Sequence, residues 1–256
     1  MTKNRIDAVL AQCRAEGRKA LIPYITAGDG GYALTEEIVL AMAGSGADLI
    51  VLGVPFSDPI AEAPTVQKAS ERALAAGTTL AGIFEMMGRI REKTDIPVLL
   101  MMYLNTIFRF GKERFFSRCR ECGVEGVIVP DMPFEEKEEI RAEAEACGVH
   151  SISLVTAASA GRIRMIAGEA RGFLYAVTAG LEKPSSFLEQ VQENASLPVI
   201  AELPASDFTH APEQIPPCDG ILLSNALVEL IRQSSADSPA AAGRFVKAVR
   251  AAMNLQ

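Results

Sequence analysis

Hydrophobic residues gather into eight short runs along the chain: ALIPYIT (20–26), ADLIVLGV (47–54), IPVLLMMY (96–103), GVIVPD (126–131), HSISLVT (150–156), GFLYAVT (172–178), PVIAEL (198–203) and GILLS (220–224). They are short, largely apolar and bounded by Gly, Pro or Asp, as expected of parallel strands covered on both faces. Between them the apolar spacing changes to three and four. ALTEEIVLAMAGSG predicts one helix, closed by glycines, and PFEEKEEIRAEAEACG another, whose acidic run from Glu135 to Glu139 reads as a solvated first turn. The opening MTKNRIDAVLAQCRAEGRKA predicts an amphipathic helix over residues 1–18, ahead of the first strand. SDFTHAPEQIPP, after the seventh run, is too rich in proline for a long helix. Strand and helix alternate without a Ser/Gly-rich linker. The pattern predicts a single domain over residues 1–256, a closed (β/α)8 barrel. An open doubly wound sheet is the alternative, but no GxGxxG follows the first run to support it.

Composition narrows the function. With 256 residues, 49% hydrophobic and 22% charged, the chain has the material for a large core. A net charge of -7 repels nucleic acid and anionic membranes, so neither is an expected partner. No apolar run approaches the ~20 residues that span a bilayer, and the N-terminus lacks the apolar centre of a signal peptide. Five scattered cysteines, an odd number, do not make a disulfide framework and point to a reducing cytoplasm. Cys119 and Cys122 form one CxxC at a helix end closed by Gly123; with no second CxxC and only two histidines, no metal is expected. Met86, Met87, Met101 and Met102 read as core filler.

In a (β/α)8 barrel the chemistry gathers at the C-terminal ends of the strands. Those ends here offer Thr26 and Asp29; Ser57, Asp58 and Glu62; Tyr103 and Asn105; Asp131; Tyr175 and Thr178; Glu202; Ser224 and Asn225. The mouth is one of hydroxyls, amides and carboxylates, and no strand end carries a histidine, lysine or arginine. Lys183, in the loop after the sixth run, is the nearest cation in sequence.

LGVPFSDPIAEAPTVQ, then RALAAGTT, MMYLNTIFRFG and VIVPDMPFEE, with IPYITAGD and RGFLYAVT, together resemble the tryptophan synthase alpha chain family over nearly the whole sequence. The resemblance implies an α/β barrel that cleaves indole-3-glycerol phosphate to indole and glyceraldehyde 3-phosphate. It also implies a partner, a pyridoxal-phosphate β chain that takes the indole in an α2β2 assembly, and no cofactor on this chain. Tyr24, Thr26, Tyr103, Asn105 and Tyr175 fall at family pocket positions, although any barrel mouth carries residues of these kinds. The loop Pro55, Phe56, Ser57, Asp58, Pro59 matches the one that meets the β chain.

The cleavage needs a proton delivered to the indole ring and another removed, which suits two carboxylates of different pKa. In the family one lies inside the second strand, in a pattern like LELG. Here LIVLG places Val51 there. The other follows the SDP turn and corresponds to Glu62, where Asp is usual and Glu is found in some members; Glu62 reads equally well as a solvated loop carboxylate. The family grips phosphate with glycine-bearing turns after strands six, seven and eight. The GFG turn reads Glu202-Leu203-Pro204, and Pro204 has no N–H to donate. The GSA turn reads Ser224-Asn225-Ala226, and the sixth loop shortens to TAGLEKPSS, with Gly180 as its glycine. The resemblance therefore implies a lyase of tryptophan biosynthesis that is strongly impaired. Two alternatives stay open: a non-catalytic barrel that binds and modulates a β chain, and a barrel re-specialised for a small, non-phosphorylated aromatic or indole-type ligand.

Overall fold

In the computed structural model, which describes residues 4–59, 62–202, 217–234 and 237–254, the eight apolar runs form eight parallel strands in a closed barrel. They are β1 (Ala20–Thr26), β2 (Ile50–Gly53), β3 (Val98–Met101), β4 (Val124–Ile128), β5 (His150–Val155), β6 (Leu174–Ala176), β7 (Val199–Glu202) and β8 (Gly220–Leu223). Closure comes from β1 pairing with β8, Ala20 against Gly220. Alternation along each strand then separates two cores. Leu21, Ile50, Leu52, Val98 and Leu100 face the helices, while Ile22, Tyr24, Val51, Leu99 and Tyr175 belong to the interior cluster.

The fourth strand begins at Val124, two residues ahead of the apolar run. Glu125 hides that start, because a charged residue interrupts the hydrophobic pattern. It is buried nonetheless: it accepts from the Val98 N–H at 2.9 Å and lies 3.2 Å from Arg5 and 3.4 Å from Arg91.

Helix α1 (Arg5–Ala15) is shorter than the 1–18 span expected from its pattern, and residues 1–3 lie outside the described part. Asn4 caps it, accepting from Ile6 N–H at 2.9 Å, and donates to the carbonyls of Glu125 and Gly148 at 2.9 Å each. Ile6, Leu10 and Cys13 thereby join the interior cluster. Gly126 makes room for them, since a Cβ there would lie 3.0 Å from Ile6 Cδ1. Helix α1 closes the N-terminal end, and the loops that follow the strands gather at the other.

Helices α2 (Tyr32–Ala43) and α7 (Glu138–Cys147) fall where the period of three and four placed them. A short 3-10 turn, Phe134–Glu136, precedes α7. Helix α6 (Lys112–Cys122) ends at Gly123 in the left-handed conformation, φ 71°. Its Cys119 and Cys122 are buried, and burial raises both thiols. All five cysteines are free. Except for Pro217, SDFTHAPEQIPP lies outside the described residues. Among the described residues no helix is long and apolar enough to cross a membrane.

Candidate active site at the barrel mouth

The second strand brings no acid to the barrel. Val51 is fully buried in the interior cluster, in register with Tyr24 on one side and Leu99 on the other. Two residues further along β2, the Tyr24 side chain leans across Gly53 so closely that a Cβ there would lie 1.9 Å from its hydroxyl. Glycine at the end of β2 is thus what lets this ring reach over the mouth.

The loop after β2 folds back on itself. Pro55 is buried, and Phe56 stacks on Tyr103 with ring centroids 4.7 Å apart and 24° between planes. Ser57 and Asp58 are exposed and hydrogen-bonded to each other, and Pro59 is half-buried. The chain re-enters at Glu62 just before α3 (Pro64–Ala75), a helix opened by proline at its first position. Gln67 of α3 donates to the Glu62 carbonyl at 2.9 Å, fixing that return. Tyr103 hydrogen-bonds to the Glu62 carboxyl, yet Oε2 is buried with no partner among the described residues.

Burial raises the Glu62 pKa above the ordinary 4.5, and the Tyr103 bond only partly opposes it. Folding therefore favours the protonated form. That contribution to stability is complete below 4.5 and is lost as pH rises through the higher folded value. Glu62→Gln stays neutral, so thermal melts should show it gaining stability relative to the parent as pH rises from 4.5 towards neutrality. A difference that does not change with pH would mean the carboxyl is solvated.

A second carboxylate stands across the mouth. Glu202, at the end of β7, accepts from the Tyr175 hydroxyl at 3.2 Å and from the Ser224 hydroxyl just beyond β8. Its carbonyl accepts from Thr178 Oγ1 at 3.2 Å. Burial, then Glu202, push the Tyr175 phenol well up. Tyr24 is raised too, by burial first and then by Glu62, with Glu202 contributing, so its hydroxyl feels both carboxylates.

Of the residues expected at the site, Tyr24, Thr26, Tyr103, Tyr175 and Glu62 come together, the first four buried. Asn105 is exposed in the first turn of α5 (Leu104–Phe110) and shares no hydrogen bond with them. Gly180 sits in the loop after β6 with φ 76°, a conformation that favours glycine. Asn225 opens α10 (Asn225–Ser234), and its Oδ1 is buried without a partner among the described residues. Pro204 lies outside the described residues. Two contributors were not legible in sequence: Phe56, whose ring is an ordinary loop hydrophobe until it meets Tyr103, and the Glu202 hydroxyl network, which joins three strands. Among the described residues no group of three or more His, Cys, Asp or Glu is placed to hold a metal.

A closed (β/α)8 barrel, plugged at one end by a helix and carrying its polar groups on loops at the other, defines the class of barrels whose site is built from the strand-end loops. Residues 10–255 match the family model for the tryptophan synthase alpha chain, and the chain belongs to that family. It is 41% identical over 225 residues to the tryptophan synthase alpha chain of Bacillus thuringiensis subsp. konkukian (strain 97-27), covering 84% of this chain and 87% of that one. Among solved structures, tryptophan synthase subunit alpha from Legionella pneumophila str. Paris superposes with a TM-score of 0.94 at 33% identity, covering 100% of both chains. A chain of the tryptophan synthase complex from Pyrococcus furiosus superposes at 0.85 with 28% identity, covering 91% of this chain and 99% of that one.

Proposed function

We propose that this chain is an alpha-type barrel of tryptophan biosynthesis in which cleavage of indole-3-glycerol phosphate is strongly impaired while docking to a β chain is retained. The observation that carries this is Val51: fully buried, inside the barrel, in register with Tyr24 and Leu99, and unable to exchange a proton. Chemistry of this kind needs a buried acid at one position, whereas docking needs shape and exposed polar groups. The exposed pair Ser57 and Asp58 and the flanking Pro55 and Pro59 supply the latter. The prolines fix φ and lower the entropy lost on association.

Calorimetry or sedimentation with the β chain of the same genome tests this reading. A complex should form, weaken with Asp58→Ala or Pro59→Gly, and be indifferent to Val51→Glu. If none forms with each protein at ~100 μM, an interaction free energy weaker than roughly 5 kcal/mol, the docking role is wrong.

A second reading, a pocket re-specialised for a non-phosphorylated aromatic ligand, is favoured by Glu202. Its carboxylate, tied to Tyr175 and Ser224, puts negative charge on two of the turns that the family uses for phosphate.

A further inference from the structure

The carboxylates sunk most deeply elsewhere in this barrel each have an arginine. Asp48 pairs with Arg18 and Arg250, Glu125 with Arg5 and Arg91, Glu36 with Arg89, and Asp29 with Arg72. Glu62 and Glu202 do not. Among the described residues neither forms an ion pair, and both are held by hydroxyls alone, from Tyr103 in one case and from Tyr175 and Ser224 in the other. The stretches adjoining them, Ile60-Ala61 and residues 203–216, contain no lysine or arginine, and their one basic residue is His210. Among the described residues, two acids thus face one mouth without a basic partner.

Their hydrogen-bonding capacity is also unfilled. Glu62 Oε2 is buried with no partner among the described residues. Among the described residues the Glu202 carboxylate accepts two bonds, where a carboxylate has room for about four. A hydroxyl orients such a group but does not neutralise it; an ammonium does both. Around them stand the rings of Tyr24, Tyr103 and Tyr175, all buried, and Phe56, stacked on Tyr103; aromatic rings of this kind favour a nearby cation. No third acid, histidine or cysteine among the described residues joins the pair to make a metal site.

We propose that the barrel mouth binds a small aromatic amine, its ring among the tyrosines and its protonated nitrogen held by Glu202 and Glu62, at the end of the barrel where the family resemblance places a phosphate. This rests on the second reading above, a mouth that has given up its anion site. The charge preference of the pocket is inverted.

Calorimetric titration of the full chain with four probes tests it: tryptamine, its neutral analogue tryptophol, the anion indole-3-propionate, and inorganic phosphate. Tryptamine should bind tightest, roughly tenfold ahead of tryptophol, with the two anions weaker still. Glu202→Gln should weaken tryptamine roughly 10- to 100-fold while leaving tryptophol within about threefold, a split that a general loss of structure would not produce. Should that variant fail to fold, the parent chain still decides the matter. Its preference for tryptamine over tryptophol must shrink as salt is raised, as an ion pair requires. The proposal is overturned if tryptamine binds no better than tryptophol, if an anion binds tightest, or if no probe binds at about 1 mM. These readouts need neither turnover nor a β chain. Phosphate binding tightest would remove the second reading as well, while tryptophol binding as tightly as tryptamine would remove this inference alone.

Discussion

Given indole-3-glycerol phosphate, the isolated chain should release indole at least ~10³-fold more slowly than an ordinary member of its family. Loss of one positioned acid or base costs about 10²–10⁴ in rate, and Val51 leaves the centre of β2 without one. The Glu202 carboxylate adds to the deficit. At ~6 Å and an effective dielectric near 20, one pair of like unit charges repels by roughly 3 kcal/mol, so substrate binding suffers as well as turnover. Val51→Glu alone should therefore fail to restore full activity. Adding Glu202→Gly, Pro204→Gly and Ser224→Gly should bring back phosphate binding first, read by titration, and turnover only afterwards. Normal steady-state kinetics in the parent, or full rescue by the single change, would show that the acid or the phosphate turns have been misassigned.

The largest effect on stability should come from Asp48→Ala. Asp48 precedes β2 at the closed end of the barrel, and its side chain is 9% exposed. It accepts from Arg18 Nη1 at 2.7 Å and from the Leu21 N–H at 2.8 Å, and pairs with Arg250 of α11 (Ser238–Met253). Arg250, only 14% exposed, also donates to the carbonyls of Lys19 at 2.9 Å and Gly46 at 3.1 Å. This one carboxylate thus ties the last helix to the first two strands. Its removal leaves two guanidinium groups without their shared counter-charge. Breaking a buried pair from one side costs about 3–5 kcal/mol. Arg18 is partly exposed and keeps Glu16 at 2.5 Å, so the lower end applies. The melting temperature should fall by roughly 6–12 °C for a chain of this size. A loss below about 1 kcal/mol in denaturant titration would mean that water replaces the carboxylate at no great cost.

The local pattern of the chain determined much of this protein. Eight apolar runs became eight strands because a strand buried on both faces must be apolar along its length, a property read from neighbours in sequence. The turn GVPFSDP, which begins at Gly53, fixed the register of β2, and that register made Val51 an apolar residue at an interior position. The residue types at the strand ends were equally visible.

Tertiary structure alone decided what those residues meet. Tyr175, Glu202 and Ser224 lie 22 or more residues apart in the chain and touch only because β6, β7 and β8 are successive staves of a closed barrel. Glu62 turned out to be a carboxyl with a buried, unpartnered oxygen because its loop folds back onto Tyr103, whereas a solvated loop acid has the same sequence. Glu125 shows the converse. Its charge masked the start of β4, and only the approach of Arg5, Arg91 and the Val98 N–H explains how an acid can be buried there. Periodicity sets the face a side chain occupies, but the pairing and ionisation of that side chain are set by groups that barrel closure brings from distant parts of the chain.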